Sequence, residues 1–245
     1  MELFLEIKKL NKAFSGIRAV LDFDLSVNKG DLIGIIGPNG AGKTTLFNMI
    51  TSFIRADSGE ILFKGENITY LKPFQIVNRG ISRTFQLVDL FKEMTVLETI
   101  MIPCFSKRVR NYKHREEKPR IIAMKVLEEM GMSHRYHELI KNLAFGELRL
   151  VDVARAMITE PDILLLDEPF SGLDIEGAGV LSKVIQQMHQ KGETMVIIEH
   201  RLRDLMKLVG RVVVINFGQK IAEGAPDEII KNEKVITAYL GKGKE

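Results

Sequence analysis

The sequence predicts an α/β fold: a mainly parallel sheet between helices, with an N-terminal antiparallel β subdomain and an inserted helical subdomain. Three observations predict it. Short apolar runs recur at 32–36 (LIGII), 163–166 (ILLL), 195–198 (MVII) and 212–215 (VVVI), each followed by a turn or helix signal. Strands apolar on both faces are covered on both faces, which is the habit of parallel sheets. The segment EILFKGENIT breaks this texture, with Gly65 and Asn67 at an expected turn, and reads as an antiparallel hairpin. From Leu87 to Thr159 the pattern becomes helical.

In chain order, LIGII leads into a helix on which Leu46, Met49, Ile50 and Phe53 fall at i, i+3, i+4 and i+7. Pro119 opens and Gly131 closes a helix of the inserted lobe, where Ile122, Val126 and Met130 share a face. The methionines between 124 and 132 fill gaps in its core. NLAFGELRLVDVARA (142–156) reads as a glycine turn feeding a helix from about Glu147 to Thr159, with Leu148, Val151 and Ile158 facing the lobe interior. Val180 to His189 suits a crossover helix between ILLL and MVII. The 245 residues are expected to form one domain. Residues 1–86 and 158–245 make the core with the β subdomain, and 87–157 make the helical subdomain.

Composition excludes more than it selects. The net charge of +3 is mixed along the chain, so bulk electrostatics name no partner. One cysteine excludes an internal disulfide framework, and Cys104, after Pro103, is expected to be structural. The start MELFLEIKKL has acidic residues where a signal peptide would be basic and then apolar. No stretch approaches the roughly 20 apolar residues that cross a bilayer. The expectation is a cytoplasmic chain that meets a membrane only through a partner. KRVRNYKHREEKPR (107–120) is basic, but Glu116 and Glu117 interrupt it and one aromatic gives no stacking platform. It reads as a solvated loop, and no nucleic acid is expected. His134 and His137 lack acidic or cysteine partners for a metal set and read as surface residues.

GPNGAGKTT fits G-x-x-x-x-G-K-[ST] from Gly37 to Thr44, directly after an apolar run and opening a helix. The glycines let backbone N–H groups of the loop Gly37, Pro38, Asn39, Gly40, Ala41 and Gly42 converge on phosphate oxygens. Lys43 would reach the β and γ groups, Thr44 would ligate Mg²⁺, and Thr45 belongs to the same cradle. The motif in this setting points to a nucleoside triphosphate. Hydrolysis needs a magnesium carboxylate and a group that activates water, and ILLLDE offers both at a strand end. Asp167 would orient the metal's water shell, and Glu168 is the candidate general base. MVIIEH brings His200 to the same edge of the sheet, where a neutral imidazole could hold the γ-phosphate and the water.

The phosphate loop, Gln86 in RTFQ, the turn at LAFGE, LLLDEPFSGLD and IIEHR occur in the order found in ABC transporter ATPase subunits, which the chain resembles over essentially its whole length. GISRTFQLVDLFKEMTVLETI and IAEGAPDEI look most like the ATP-binding subunit of branched-chain amino acid importers. The resemblance implies the P-loop NTPase core of an ABC ATPase, with ATP and Mg²⁺ as ligands and hydrolysis to ADP and phosphate. It implies a head-to-tail dimer with a second ATPase subunit, identical or different, that clamps two ATP molecules. It also implies transmembrane permease subunits docked near Gln86 to Met101, and a peripheral position on the inner face of the cell membrane. Phe14 would stack on adenine, although as a residue alone it suits a core equally. Gln86 would touch Mg²⁺ and couple to the permease, and Asp174 would pack at the dimer seam. Related alternatives are an ABC ATPase of lipid or lipopolysaccharide export and a non-transport ABC ATPase of ribosomes or DNA. A nucleotide-binding subunit with a scarcely hydrolysing paired site is a further one.

The family signature is Leu-Ser-Gly-Gly-Gln, and this chain has Leu143, Ala144, Phe145, Gly146 and Glu147. The serine would give its hydroxyl to the partner's γ-phosphate, a contact of roughly 1.5–3 kcal/mol that Ala144 cannot make. The Gly146 backbone N–H and the positive end of the following helix remain. Glu147 suits a helix start and brings a carboxylate near phosphates. The reading is a weakened signature rather than a dead one.

Overall fold

A computed structural model describes residues 2–85, 90–112 and 118–240. Strands β1 (Leu3–Phe14) and β2 (Ile17–Asn28) turn about Ser15 and Gly16 and pair antiparallel. β3 (Leu32–Ile36), buried throughout, leads through the phosphate motif into α1 (Lys43–Ile50). Phe53 lies past the end of α1 and is exposed rather than on its apolar face. β4 (Ser58–Phe63) and β5 (Glu66–Asn67) complete an antiparallel sheet of order β2-β1-β4-β5. The expected hairpin is present, but its turn residues are Lys64 and Gly65, both at positive φ. Two left-handed residues match the twist of the strands they join. Asn67 is on the return strand, where its Oδ1 accepts from the Thr69 backbone and hydroxyl.

α2 (Pro73–Arg79) and β6 (Ile81–Arg83) follow, then α3 (Val96–Met101), α4 (Lys107–Tyr112), α5 (Pro119–Glu129) and α6 (Phe145–Met157). The basic stretch expected to be a solvated loop is partly helix α4, and residues 113–117 lie outside the described residues. Arg108 is not solvated: its guanidinium donates to the carbonyls of Thr159 (2.7 Å) and Glu160 (2.6 Å), and to Asp162. Those carbonyls need a donor in any case, which explains a buried-side arginine in a basic run. α6 begins at Phe145, two residues before the expected start, because the Glu147 carboxylate accepts the Ala144 N–H at 2.9 Å. His134 and His137 are exposed, and the His137 ring lies 3.6 Å from that of Tyr136.

β7 (Ile163–Asp167), α7 (Ile175–Gln190), β8 (Met195–Ile198), α8 (Leu202–Leu205), β9 (Arg211–Asn216), β10 (Gln219–Gly224), α9 (Pro226–Ile230) and α10 (Glu233–Leu240) complete the chain. The second sheet runs β10-β9-β3-β8-β7-β6, parallel from β9 to β6, with β10 antiparallel to β9. Every apolar run is a strand of this sheet. Alternate residues serve different cores: Leu164, Leu166, Met195 and Ile197 pack with α5, α6 and α7, while Ile33, Ile35, Val196 and Ile198 pack with α1 and the antiparallel sheet. Two-sided burial is why the runs are uninterrupted. Among the described residues no helix is long and apolar enough to cross a membrane.

Cys104 is buried, and burial pushes its thiol up to about 11. A thiolate is the reactive form. At pH 8 the folded protein is therefore expected to give no reaction with a thiol-exchange dye, and one equivalent after denaturation; absorbance titration checks this.

Candidate active site

Parallel strands send their C-terminal ends to one edge of the sheet, where ligands of open α/β sheets bind. β8 lies between β3 and β7. The phosphate loop after β3, the Asp167–Glu168 pair ending β7 and His200 after β8 therefore meet at that edge. Backbone bonds lock the three ends together: the Glu168 N–H donates to Ile198 O (2.9 Å) and the Glu199 N–H to Ile35 O (3.2 Å).

Glycine is obligatory at two loop positions. A Cβ on Gly37 would lie 2.1 Å from Ile215 O, and one on Gly42, at φ +105°, would lie 2.1 Å from Ala19 O. The loop is thus drawn tight between β9 and β2, and the Gly218 N–H donates to Ala41 O at 3.0 Å. Gly42 caps α1 without a side-chain acceptor, which leaves the first N–H groups of the helix, at Lys43, Thr44 and Thr45, facing the loop. Lys43 runs along the inside of the cradle, its Nζ donating to Gly37 O (2.7 Å) and Pro38 O (3.1 Å). Burial lowers its pKa, and the nearby Glu168, Asp167 and Glu199 carboxylates pull it back up. Asn39 and Gly40 line the outer face of the loop beside Phe217.

Asp167 is 1% exposed, with Oδ2 paired to Arg83 and Oδ1 buried without a hydrogen-bond partner. An unpaired buried carboxylate oxygen is costly. It is a hard oxygen donor of the kind Mg²⁺ prefers, and with the Thr44 hydroxyl it could hold that ion. Glu168 sits at φ +48°, a region that non-glycine residues keep only when their surroundings impose it. His200 Nδ1 lies 3.5 Å from Glu168 Oε2, and the imidazole is half exposed at the mouth of the site. The acid and the imidazole are thus adjacent, as the sequence implied.

Two charged residues were not foreseen. Arg83 ends the three-residue strand β6, donates to Asn48 Oδ1 at 2.7 Å, and lies over the rings of Phe47 and Phe85. Glu199 is fully buried and accepts N–H groups from Phe170 (2.7 Å), His200 (3.0 Å) and Arg201 (3.1 Å). Burial raises its pKa while those amides draw it down. It fixes the turns on which Glu168 and His200 stand. The only sequence signal for either was a charge beside a motif.

A separate crevice of about 410 Å³ brings together Ala144, Phe145, Gly146, Glu147 and Asp174. Asp174 caps α7 by accepting the Gly177 N–H at 2.8 Å. Glu147 is neutralised by Arg135 at 2.9 Å, so its carboxylate serves its own helix start. Phe145 packs against Gly172, whose added Cβ would lie 2.7 Å from the ring. Phe14 ends β1 and is 44% exposed, which excludes the core reading, and the Lys12 ammonium lies over its ring at 5.3 Å. Gln86 lies outside the described residues.

The profile of the ABC transporter family matches residues 20–171, and that of the branched-chain amino acid ATP-binding cassette transporter matches residues 219–245. The high-affinity branched-chain amino acid transport ATP-binding protein LivG of Escherichia coli (strain K12) is 35% identical over 97% of this chain and 98% of its own length. The lipopolysaccharide export system ATP-binding protein LptB of Haemophilus influenzae is 34% identical over 97% of each chain. A crystal structure of the ADP conformation of an ATP-binding cassette of an ABC transporter superposes with a TM-score of 0.89, at 35% identity over 99% of this chain and 100% of that one. The fold is thus shared with such a cassette over nearly the full length of both chains, and the chain belongs to the ABC transporter family.

Proposed function

We propose that this chain binds ATP with Mg²⁺ and hydrolyses it to ADP and phosphate, driving an importer of branched-chain or related amino acids. The observation that carries the reading is the meeting, at one sheet edge, of the phosphate loop, the half-paired Asp167 and the strained Glu168 beside His200. The loop N–H groups and Lys43 hold the β- and γ-phosphates. Thr44, Asp167 Oδ1 and Gln86 would hold Mg²⁺, which when bound offsets phosphate charge. Glu168 takes the proton of the attacking water, and His200 orients that water and the γ-phosphate. Phe14 stacks on the adenine.

The surface with Ala144, Gly146, Glu147 and Asp174 faces the ATP of a second ATPase subunit, identical or different, in a head-to-tail dimer. ATP closes the dimer and hydrolysis reopens it. Residues 87–157 move as a lobe against the core of 1–86 and 158–245 and pass the motion to permease subunits at the membrane's inner face. Exposed Phe91, Ile102 and Phe105 support docking there. The match at 219–245 favours amino-acid import over the lipopolysaccharide export suggested by the LptB likeness. Cells lacking this chain should lose uptake of labelled leucine, and wild type but not Glu168→Gln should restore it. Restoration by both, or no loss at all, removes the importer reading.

Restoring the signature hydroxyl tests the weakened turn. Ala144→Ser is expected to raise hydrolysis at the paired site of the assembled complex by roughly tenfold, the equivalent of one charge-assisted hydrogen bond. Steady-state phosphate release measures it, and an unchanged rate shows that the hydroxyl is not limiting.

A further inference from the structure

The signature helix is tied to the Asp167 site by a run of buried polar contacts. Arg149 and Asp152, three residues apart on α6, are 4% and 2% exposed. Arg149 Nη1 donates to Phe85 O (3.1 Å), and the Phe85 N–H donates to Asp152 Oδ2 (3.4 Å). One helix therefore grips both backbone groups of a single residue, the last before Gln86. Arg149 Nη2 also donates to Ser171 O at 3.4 Å, three residues beyond Glu168. Phe85 lies under the Arg83 guanidinium at 5.2 Å, and Arg83 pairs with Asp167. On the other side, Arg149 lies 5.2 Å over Phe145 of the signature turn. Filling this space needs no guanidinium, since an apolar chain of similar length packs without the desolvation that a buried charge incurs. What only arginine supplies is a rigid fork able to hold two carbonyls at once.

We propose that Arg149 is a positioning residue that transmits the state of the Asp167 site to the signature turn. It makes the Phe85 peptide, the Ser171 turn and the start of α6 move as one unit. A shift of Arg83 that follows ligand binding at Asp167 carries Phe85 with it, and Arg149 with Asp152 hands the shift to residues 144–147. This inference rests on the ATP-binding reading above. It needs two arrangements of a connected element, not mere proximity, and so it is tested by coupling.

The test is hydrogen–deuterium exchange of the full chain, monomeric by light scattering, with and without ADP and Mg²⁺. In the wild type, ligand should slow exchange both at 37–46 and at 143–150. Arg149→Met keeps the packing on Phe145 and should retain the response at 37–46 while losing at least two thirds of that at 143–150. Arg149→Lys should recover part of it. An undiminished response at 143–150 in Arg149→Met overturns the proposal. Loss at both sites in that variant also overturns it, since the residue is then needed only for folding. A wild type that responds at 37–46 but not at 143–150 sinks the coupling alone, whereas no response at 37–46 sinks the nucleotide reading.

Discussion

Glu168→Gln is expected to lower ATP turnover by at least 10²-fold while leaving ATP affinity within about twofold, the loss typical of removing a general base. Glutamine has nearly the same volume and can occupy the same position beside His200, but its amide cannot take a proton from water. The backbone at φ +48° is imposed by neighbours that the substitution leaves intact. Glu199 holds the turn through the Phe170, His200 and Arg201 amides, and the Glu168 N–H keeps its bond to Ile198 O. Phosphate release and equilibrium binding of a fluorescent ATP analogue separate the two effects. Retained turnover would remove Glu168 as the base, and lost affinity would make it part of the phosphate grip instead. Because binding outlives chemistry in this variant, ATP should also hold two ATPase subunits together, visible as a doubled mass by size exclusion.

The elements that the sequence exposed most clearly are those whose residues have one possible environment. β3, β7, β8 and β9 are buried on both faces, so their runs contain no polar residue before the strand end. Gly37 and Gly42 sit where any Cβ meets a backbone oxygen, so motif and geometry coincide. Other elements carry no such constraint. β6 is three residues long, too short for a period to appear. β1 and β2 pair with repeated register shifts, which blur the alternation expected of a half-buried strand. The hairpin turn fell on Lys64 rather than Asn67 because a left-handed lysine has no sequence signature. Arg83, Arg149 and Glu199 escaped for a shared reason: in sequence they resemble surface charges, and only tertiary packing shows that they are buried and what backbone groups they hold. The chemistry at the strand ends was therefore legible, and its support was not.

Lys43→Met is expected to weaken ATP binding by about 10²-fold, with the fold retained. Two charge-assisted contacts to phosphate, at about 1.5 kcal/mol each, account for that factor. Methionine fills the channel that the lysine stem occupies, while the buried Gly37 carbonyl and the half-buried Pro38 carbonyl lose their Nζ donor, a stability cost of about 1–3 kcal/mol that leaves the domain folded. The electrostatic surroundings enlarge the effect. Glu168, Asp167 and Glu199 all raise the Lys43 pKa against its burial, so the ammonium is one of the cations, with Arg83 and Arg149, that balance three carboxylates. Without it, the tail of ATP enters a site whose carboxylates are offset by Arg83, already paired with Asp167, and by Arg149, already engaged with the Phe85 carbonyl. Binding by the variant should consequently recover more steeply than that of the wild type as Mg²⁺ is raised, because the metal becomes the main source of positive charge. Titration of a fluorescent ATP analogue at two Mg²⁺ concentrations, with a thermal melt to verify folding, measures this. A variant that binds as tightly as the parent would mean that backbone N–H groups alone hold the phosphates.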